Sequence, residues 1–311
     1  MAIPISAINS ITNLKFIPKM ADNISTSNAL LMRLKKAGRL QTLDGGQDIR
    51  QPINYAFNQY FQWYSGSETL ATASNEKKTA LVFDWKQFNI PITVSGLDVL
   101  KNAGDSKILD HVQTEMKIAE NSVKENFSIG LYSAGTDPKS ITGLRVAINT
   151  TSTYGGISQS AESFLQAQVD STTTVLTIGA LQTMWEAASE DNDSPTYLVG
   201  TKVLFNSYYA KLQPQQRFQD SETAAGGYKN LLFNGAPFVA ESHVPTSHIF
   251  GLNEKYITLW SHKDRNFPGQ FDGFKDLVIP TQDSIFSSMK WAGELIVEEP
   301  RKNFKFTALT S

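Results

Sequence analysis

Residues 83–131 read FDWKQFNIPITVSGLDVLKNAGDSKILDHVQTEMKIAENSVKENFSIGL. Two periods meet in this stretch. Phe88, Ile90, Ile92 and Val94 fall on every second position, the mark of a strand with one buried face. Past Gly104 the period changes. Ile108, Val112, Met116, Ala119, Val123, Phe127 and Leu131 recur at spacings of three and four, which predicts one amphipathic helix over 105–133. Glu120 and Lys124 stand at i,i+4, placed for an ion pair on its outer side. At 1.5 Å per residue such a helix is about 40 Å long and can form the spine of an elongated subunit. Gly135-Thr136-Asp137-Pro138 stops it.

Upstream, Leu81, Phe83 and Trp85 hold odd positions, whereas the apolar residues from Phe88 onward hold even ones. That switch of parity predicts a bulge or twist near Lys86-Gln87. Ile49, Ile53, Tyr55 and Phe57 alternate with Arg50, Asn54 and Asn58, so residues 46–94 read as a long hairpin. Its far end, Ser65-Gly66-Ser67-Glu68 followed by Thr72 to Thr79, is polar, and strands of that length joined by such a tip would project from a globular body. Residues 1–45 read as an arm. It contains a helical run from Ala29 to Lys36 that ends at Ala37-Gly38 with cations in its last turn. The run has too few apolar residues to form a core alone.

Downstream, residues 141–164 begin like a strand and dissolve into Asn, Thr, Ser, Tyr and Gly155-Gly156, with no charge from Val146 to Ala161. Helices and strands then alternate. A helix near 177–190 carries Leu181, Met184, Trp185 and Ala188. A strand follows Pro195, and Thr201 caps a helix reaching Leu212. Short strands at 231–233 and 238–240 flank Asn234-Gly235, a pair suited to a type I′ turn. Further strands are expected at 249–252 and 256–260, and around Glu299-Pro300.

Composition narrows the function. The chain has 311 residues with 41% hydrophobic and 11% aromatic content, enough for a large core. Net charge is −2 and the isoelectric point is near 6.1, so the whole chain is no general nucleic-acid binder. The charge is uneven, because Lys15, Lys19, Arg33, Lys35, Lys36, Arg39 and Arg50 face only Asp22, Asp44 and Asp48 in the first fifty residues. The absence of cysteine excludes disulfides and thiolate metal sites. The start, MAIPISAINS, lacks a basic n-region, so no signal peptide is expected, and no apolar run is long enough for a membrane span.

The search for chemistry yields no constellation. Gly155-Gly156 has no Lys to reach a phosphate, and no Walker A or dinucleotide fingerprint occurs. The same holds for Ala224-Ala225-Gly226-Gly227. His243 and His248 flank Val-Pro-Thr, and Pro245 forbids a helical pair; His111 and His262 stand apart. No G-x-S-x-G elbow is present. Glu190-Asp191-Asn192-Asp193 suits a solvated turn better than a cation site. The tripeptides at Asn23, Asn126, Asn149 and Asn192 fit the glycosylation pattern only by chance in an Asn- and Thr-rich chain. Contact with other molecules, not catalysis, fits what remains.

Several stretches, in order, resemble the major capsid proteins of tailed bacteriophages: WYSGSETL (63–70), FDWKQFNIPITVSGLDVLKNAG (83–104), GLYSAGT (130–136), ITGLRVAI (141–148), YGGISQS (154–160) and GLNEKYITLWSHKDRNF (251–267). The resemblance covers roughly residues 45–310. It implies the α+β tailed-phage and herpesvirus capsid fold. In these terms residues 1–45 are the N-terminal arm and 46–94 the extended hairpin, or E-loop. Residues 95–144 form a peripheral domain with the spine helix, 145–280 an axial domain, and 281–311 strands returning to the peripheral domain. The uncharged loop around Gly155-Gly156 then crosses into the axial domain, its lack of charge suiting packing against neighbouring subunits.

The implied function is structural: self-assembly through hexamers and pentamers into an icosahedral head enclosing double-stranded DNA. No enzymatic activity, cofactor, metal or membrane is implied. Portal and scaffolding proteins are implied partners, with assembly in the host bacterial cytoplasm and residence in the virion. Tyr60, Phe61, Trp63, Tyr64, Glu68, Lys77 and Lys78 are candidates for intersubunit contact near the hairpin tip; packing within the subunit's own hairpin is the other reading of the four aromatics. Lys35, Lys36 and Arg39 are candidates for an inner basic face toward DNA, or simply cap and solubilise their helix. A cellular nanocompartment shell of the same fold is the rival reading. An enzyme using the Glu190–Asp193 carboxylates is a more distant one.

Overall fold

The computed structural model describes residues 28–73, 75–95, 105–212, 230–266, 270–271, 275–276 and 284–310, with Met20, Asn23, Ile24 and Leu97. The loop at 224–227, the side chain of Ile108 and most of residues 1–27 lie outside them. In chain order, α1 (Ala29–Lys36), β1 (Leu40–Leu43), β2 (Ile49–Asn54), β3 (Lys78–Phe83) and β4 (Lys86–Ser95) precede the long helix α2 (Asp105–Leu131). A single helical turn α3 (Leu144–Ala147) and the small hairpin of β5 (Thr153–Tyr154) and β6 (Ile157–Ser158) come next. Then follow β7 (Gln168–Asp170), β8 (Thr174–Val175), α4 (Ile178–Ala188), β9 (Tyr197–Gly200), α5 (Lys202–Lys211), β10 (Asn230–Phe233), β11 (Ala236–Ala240) and β12 (Ile249–Leu252). β13 (Ile257–His262), β14 (Gln270–Phe271), β15 (Lys275–Asp276), β16 (Ser284–Val297), β17 (Phe304–Phe306) and β18 (Leu309–Thr310) complete the chain.

β16 organises the first sheet. Along one edge it pairs antiparallel with β4, from Ser284↔Ser95 to Gly293↔Lys86. Along the other it meets β15, β14 and then β13, whose far edge takes β1 in parallel. α2 lies across this sheet. Val112, Met116, Ala119, Val123, Phe127 and Leu131 are all buried, as their period predicts, and Glu120 pairs with Lys124. Trp291 of β16 stacks on Phe88 of β4 at 5.5 Å and meets Phe127 of α2 edge-on at 5.3 Å, while its indole N–H donates to Ser261 Oγ. A Cβ on Gly293 would stand 2.1 Å from the Trp260 carbonyl oxygen, so only glycine lets β13 approach where β16 changes from one partner to the other.

The second sheet runs β10-β11-β9-β12-β17-β7. α4 and α5 pack on it through Leu181, Trp185, Leu204 and Tyr208. Thr177 and Thr201 cap them, accepting from the N–H groups of Ala180 and Leu204. Asn234 and Gly235 both have positive φ (48° and 83°), as a type I′ turn between β10 and β11 requires.

Four expectations need correction. The parity switch before β4 is a change of partner rather than a bulge: β3 ends at Phe83 on β2, and β4 starts at Lys86 on β16. The hairpin strands are only six residues each and do not project; Ile49, Ile53, Leu81 and Phe83 are buried in the main core. The end of the proposed arm belongs to the body. Ala29, Leu30, Leu31, Met32 and Leu34 are buried, β1 extends the first sheet, and both Arg33 Nε and Nη2 donate to the Glu254 carboxylate. That helix lacks a core of its own because it completes one built by distant strands. The boundary at 280 does not follow the sheets: β13 lies in the first sheet, whereas β17 lies in the second. The chain crosses at the 3₁₀ turns Glu254–Tyr256 and Pro300–Lys302, where backbone direction can change within three residues.

Glu294 is fully buried in β16. Its carboxylate accepts from the N–H groups of Thr142 (2.6 Å) and Leu295 (3.0 Å) and from the Thr142 hydroxyl, tying the loop after α2 to the sheet. Burial pushes it up to about 7, although these donors favour its charge. The folded chain therefore holds this proton more tightly than the unfolded chain, whose carboxyl keeps the ordinary 4.5. The resulting stability is complete below pH 4.5 and is lost as pH rises through about 7. Urea unfolding of Glu294→Gln against the parent chain should show the parent losing on the order of 2 kcal/mol relative to the variant between pH 5 and pH 8.

Candidate intersubunit surface

The hairpin of β2 and β3 is braced from below. Tyr154 is buried against Phe83, and its hydroxyl accepts from the Val297 N–H at 2.7 Å. The next residue, Gly155 (φ +56°), offers its carbonyl to the Val82 N–H. A Cβ there would stand 2.7 Å from Leu81 Cβ, so the turn closes onto β3 only with glycine. Gln159 is buried and donates to the carbonyls of Ala147 and Leu165. The uncharged Gly-Gly loop is thus anchored in its own subunit through Tyr154, Gly155 and Gln159, while Thr151, Thr153, Gly156, Ser160 and Ala161 stay exposed.

From this base the chain leaves the body at a neck. The Tyr55 N–H donates to the Lys77 carbonyl, the Tyr55 ring stacks on Phe164 at 4.7 Å, and Asn75 Nδ2 donates to the Phe57 carbonyl. Beyond the neck, residues 57–73 are exposed without exception. Phe57 is 88% exposed, Phe61 71%, Trp63 89% and Tyr64 63%. Tyr60 and Leu70 are exposed as well, and Phe61 meets Trp63 edge-on at 5.5 Å. Glu68 and Lys78 are exposed, while Lys77 is half-buried at the neck. The structure therefore brings Tyr60, Phe61, Trp63 and Tyr64 to one water-facing loop and does not fold them back on the hairpin.

Phe57 and Leu70 belong to the same surface and were not foreseen. Phe57 shares the parity of Ile49 and Ile53, which marks it as core; the ladder ends at Asn54, however, so parity beyond it carries no meaning. A large apolar patch on a thin loop has no interior to enter, and such patches mark contact surfaces.

At the end of α1, Lys35 and Lys36 are exposed, whereas Arg39 is half-buried with Nη1 3.9 Å from Glu298. The Glu190–Asp193 carboxylates form a tight turn engaged with its surroundings. Glu190 pairs with Lys302, which holds its carboxyl below the usual range, and Asp193 accepts from Tyr256 and Asn253. Among the described residues no three His, Asp or Glu side chains are placed to hold a metal, and no helix is long and apolar enough to cross a membrane.

No protein-family model and no curated protein sequence matches the chain. Solved structures do. A chain of the cyanophage A-1(L) capsid asymmetric unit is 16% identical with a TM-score of 0.68, over 92% of this chain and 94% of that one. A capsid chain of a native GTA particle is 8% identical with a TM-score of 0.58, over 89% and 90%. The holo-SrpI encapsulin complex from Synechococcus elongatus PCC 7942 is 10% identical with a TM-score of 0.57, over 89% and 87%. The chain has the α+β fold of these shells, as the resemblance implied.

The exposure pattern sets a stability test. Trp63→Ala should change the unfolding free energy of the unassembled chain by no more than about 0.5 kcal/mol, because the indole touches little. Phe83→Ala should cost about 3–5 kcal/mol by opening the core. Urea titration under conditions that keep the chain unassembled compares the two.

Proposed function

We propose that this chain is the structural subunit of an icosahedral shell, assembling through hexamers and pentamers into a phage head that encloses double-stranded DNA. The observation that carries the reading is the aromatic loop, which leaves a capsid-type fold and exposes Phe57, Phe61, Trp63 and Tyr64 to water. A protruding apolar loop and a separate receiving surface on the same chain make a head-to-tail contact, and such a contact closes into a ring when its rotation allows. Aromatic residues are the usual anchors of such interfaces, which commonly bury about 1,200–2,000 Å².

Tyr60, Phe61, Trp63 and Tyr64 are the contact residues in this reading, with Glu68, Lys77 and Lys78 at their margin. The shell resides in the virion after assembly in the bacterial cytoplasm, with portal and scaffolding proteins as partners. Lys35, Lys36 and Arg39 face the interior and attract DNA phosphates without sequence preference, through counterion release. Glu298 stands 3.9 Å from Arg39 and offsets part of its charge. The second reading, a nanocompartment shell, is favoured by the encapsulin likeness. The contents of purified particles, DNA or a cargo protein, separate the two.

Negative-stain microscopy and sedimentation of the expressed chain are expected to show shells or rings. Phe61→Ala, Trp63→Ala and Tyr64→Ala together should leave circular dichroism unchanged and abolish them. A chain that stays monomeric at every concentration, alone and with phage lysate, ends the proposal. Separately, Lys35→Ala, Lys36→Ala and Arg39→Ala together should lower DNA packaging at low salt more than at raised salt, with shells still formed.

A further inference from the structure

We propose that His243 is a proton-operated clip that fastens the spine helix α2 to the second sheet when protonated and releases it when neutral. The inference concerns the internal mechanics of one chain and stands whether or not the shell reading holds.

His243 lies in the turn that follows β11. Its Nδ1 is 2.8 Å from Glu241 Oε1, and its Nε2 is 2.9 Å from Glu125 Oε2 on α2. Ionised carboxylates only accept hydrogen bonds. Two such contacts at these distances require a proton on each ring nitrogen, which only the imidazolium carries. A neutral ring would satisfy one carboxylate and turn a lone pair toward the other. The bridge is therefore a state of charge as well as of geometry.

The two carboxylates differ in freedom, and that difference makes the bridge a switch. Glu241 is buried, and its backbone N–H donates to the Gly200 carbonyl at the end of β9, so it is fixed to the second sheet. Glu125 is 65% exposed on the outside of α2 and can turn into water. When the ring loses its proton, Glu125 is the partner that leaves, and this polar link between α2 and the second sheet goes with it, while the end of α2 stays packed through Phe127 and Leu131.

Among the described residues, the titratable groups around the ring are Glu125 from α2 and Glu241 from its own turn. Behind Glu241 stand the phenols of Tyr197 on β9 and Tyr132 just past α2, with the Arg33 guanidinium of α1 over the Tyr197 ring at 5.1 Å. Burial works against the charged ring, but the hydrogen bonds it donates to Glu125 and Glu241 outweigh it, and His243 ends above its ordinary 6.5. For a histidine raised on folding, the clip is complete below pH 6.5 and is lost as pH rises through the higher folded value. With its ring 20% exposed, His243 can exchange protons with solvent without unfolding.

Deuterium exchange at the imidazole C2 position, read by mass spectrometry for each histidine peptide, tests this in the purified chain, assembled or not. The His243 midpoint is expected above 6.5 and should fall toward it in Glu125→Gln. Amide exchange supplies a second readout. Relative to His243→Gln at the same pH, the parent should show slower exchange in residues 120–131 at acidic pH and equal exchange at alkaline pH. A midpoint at or below 6.5, a midpoint unmoved by Glu125→Gln, or a parent-to-variant ratio constant with pH would overturn the proposal.

Discussion

The contact among Trp291, Phe88 and Phe127 joins the three elements on which the first half of the molecule rests. Trp291 belongs to the strand that pairs along both edges, Phe88 to its partner β4, and Phe127 to the long helix across them. One stacked and two edge-on ring pairs fix the distance and rotation of helix and sheet together, as offset and T-shaped aromatic pairs do beyond simple area burial. The Trp291 N–H is satisfied by Ser261, so the third strand, β13, is located by the same side chain. With β4 held at Lys86, the strand before it ends its own pairing at Phe83, against the Tyr154 ring.

Three buried clusters share this frame among the described residues. The largest gathers residues from α1, the hairpin base, the end of α2 and both sheets; the second sheet keeps one of its own under α4 and α5; and a third joins α2 to the first sheet, where Val112, Met116 and Val123 meet Ile92, Val94 and Met289. The chain passes between sheets twice near its end, so neither sheet is a continuous piece of sequence. Glu254 and Arg33 sit at one crossing, where the pair is largely shielded from water and receives a further hydrogen bond from Thr196. Desolvation offsets much of the attraction in a pair so shielded, so removing one partner would cost more than the intact pair contributes.

The exposed loop is where the single chain is least content. Full burial of a Phe-sized side chain is worth roughly 1.5–3 kcal/mol, and several such side chains on residues 57–70 remain in water. A folded monomer gains little from them. They gain only when a second surface covers them, which is why a loop so poor for a monomer suits a subunit. The neck at Tyr55 and Asn75 restrains the loop's exit and limits the entropy that such covering must overcome.

The sequence by itself determined the elements whose signal is local. The period of α2 placed its buried stripe, and Thr201 and Asn234-Gly235 marked their cap and turn, because periodicity and capping depend on neighbours a few positions away. The order of capsid-like stretches led to the fold, and the aromatics of 60–64 stood out by composition. Only the tertiary structure decided which side chains share a surface. Ala29–Leu34 looked too sparse for a core because the strands that cover it lie more than two hundred residues later. Phe57 looked buried because parity cannot show where a ladder ends. Glu125, Glu241 and His243 carried no common motif, since two of them lie in the turn after one strand and the third on a helix 118 positions away. Their meeting is a product of the fold, where distance in space replaces distance along the chain.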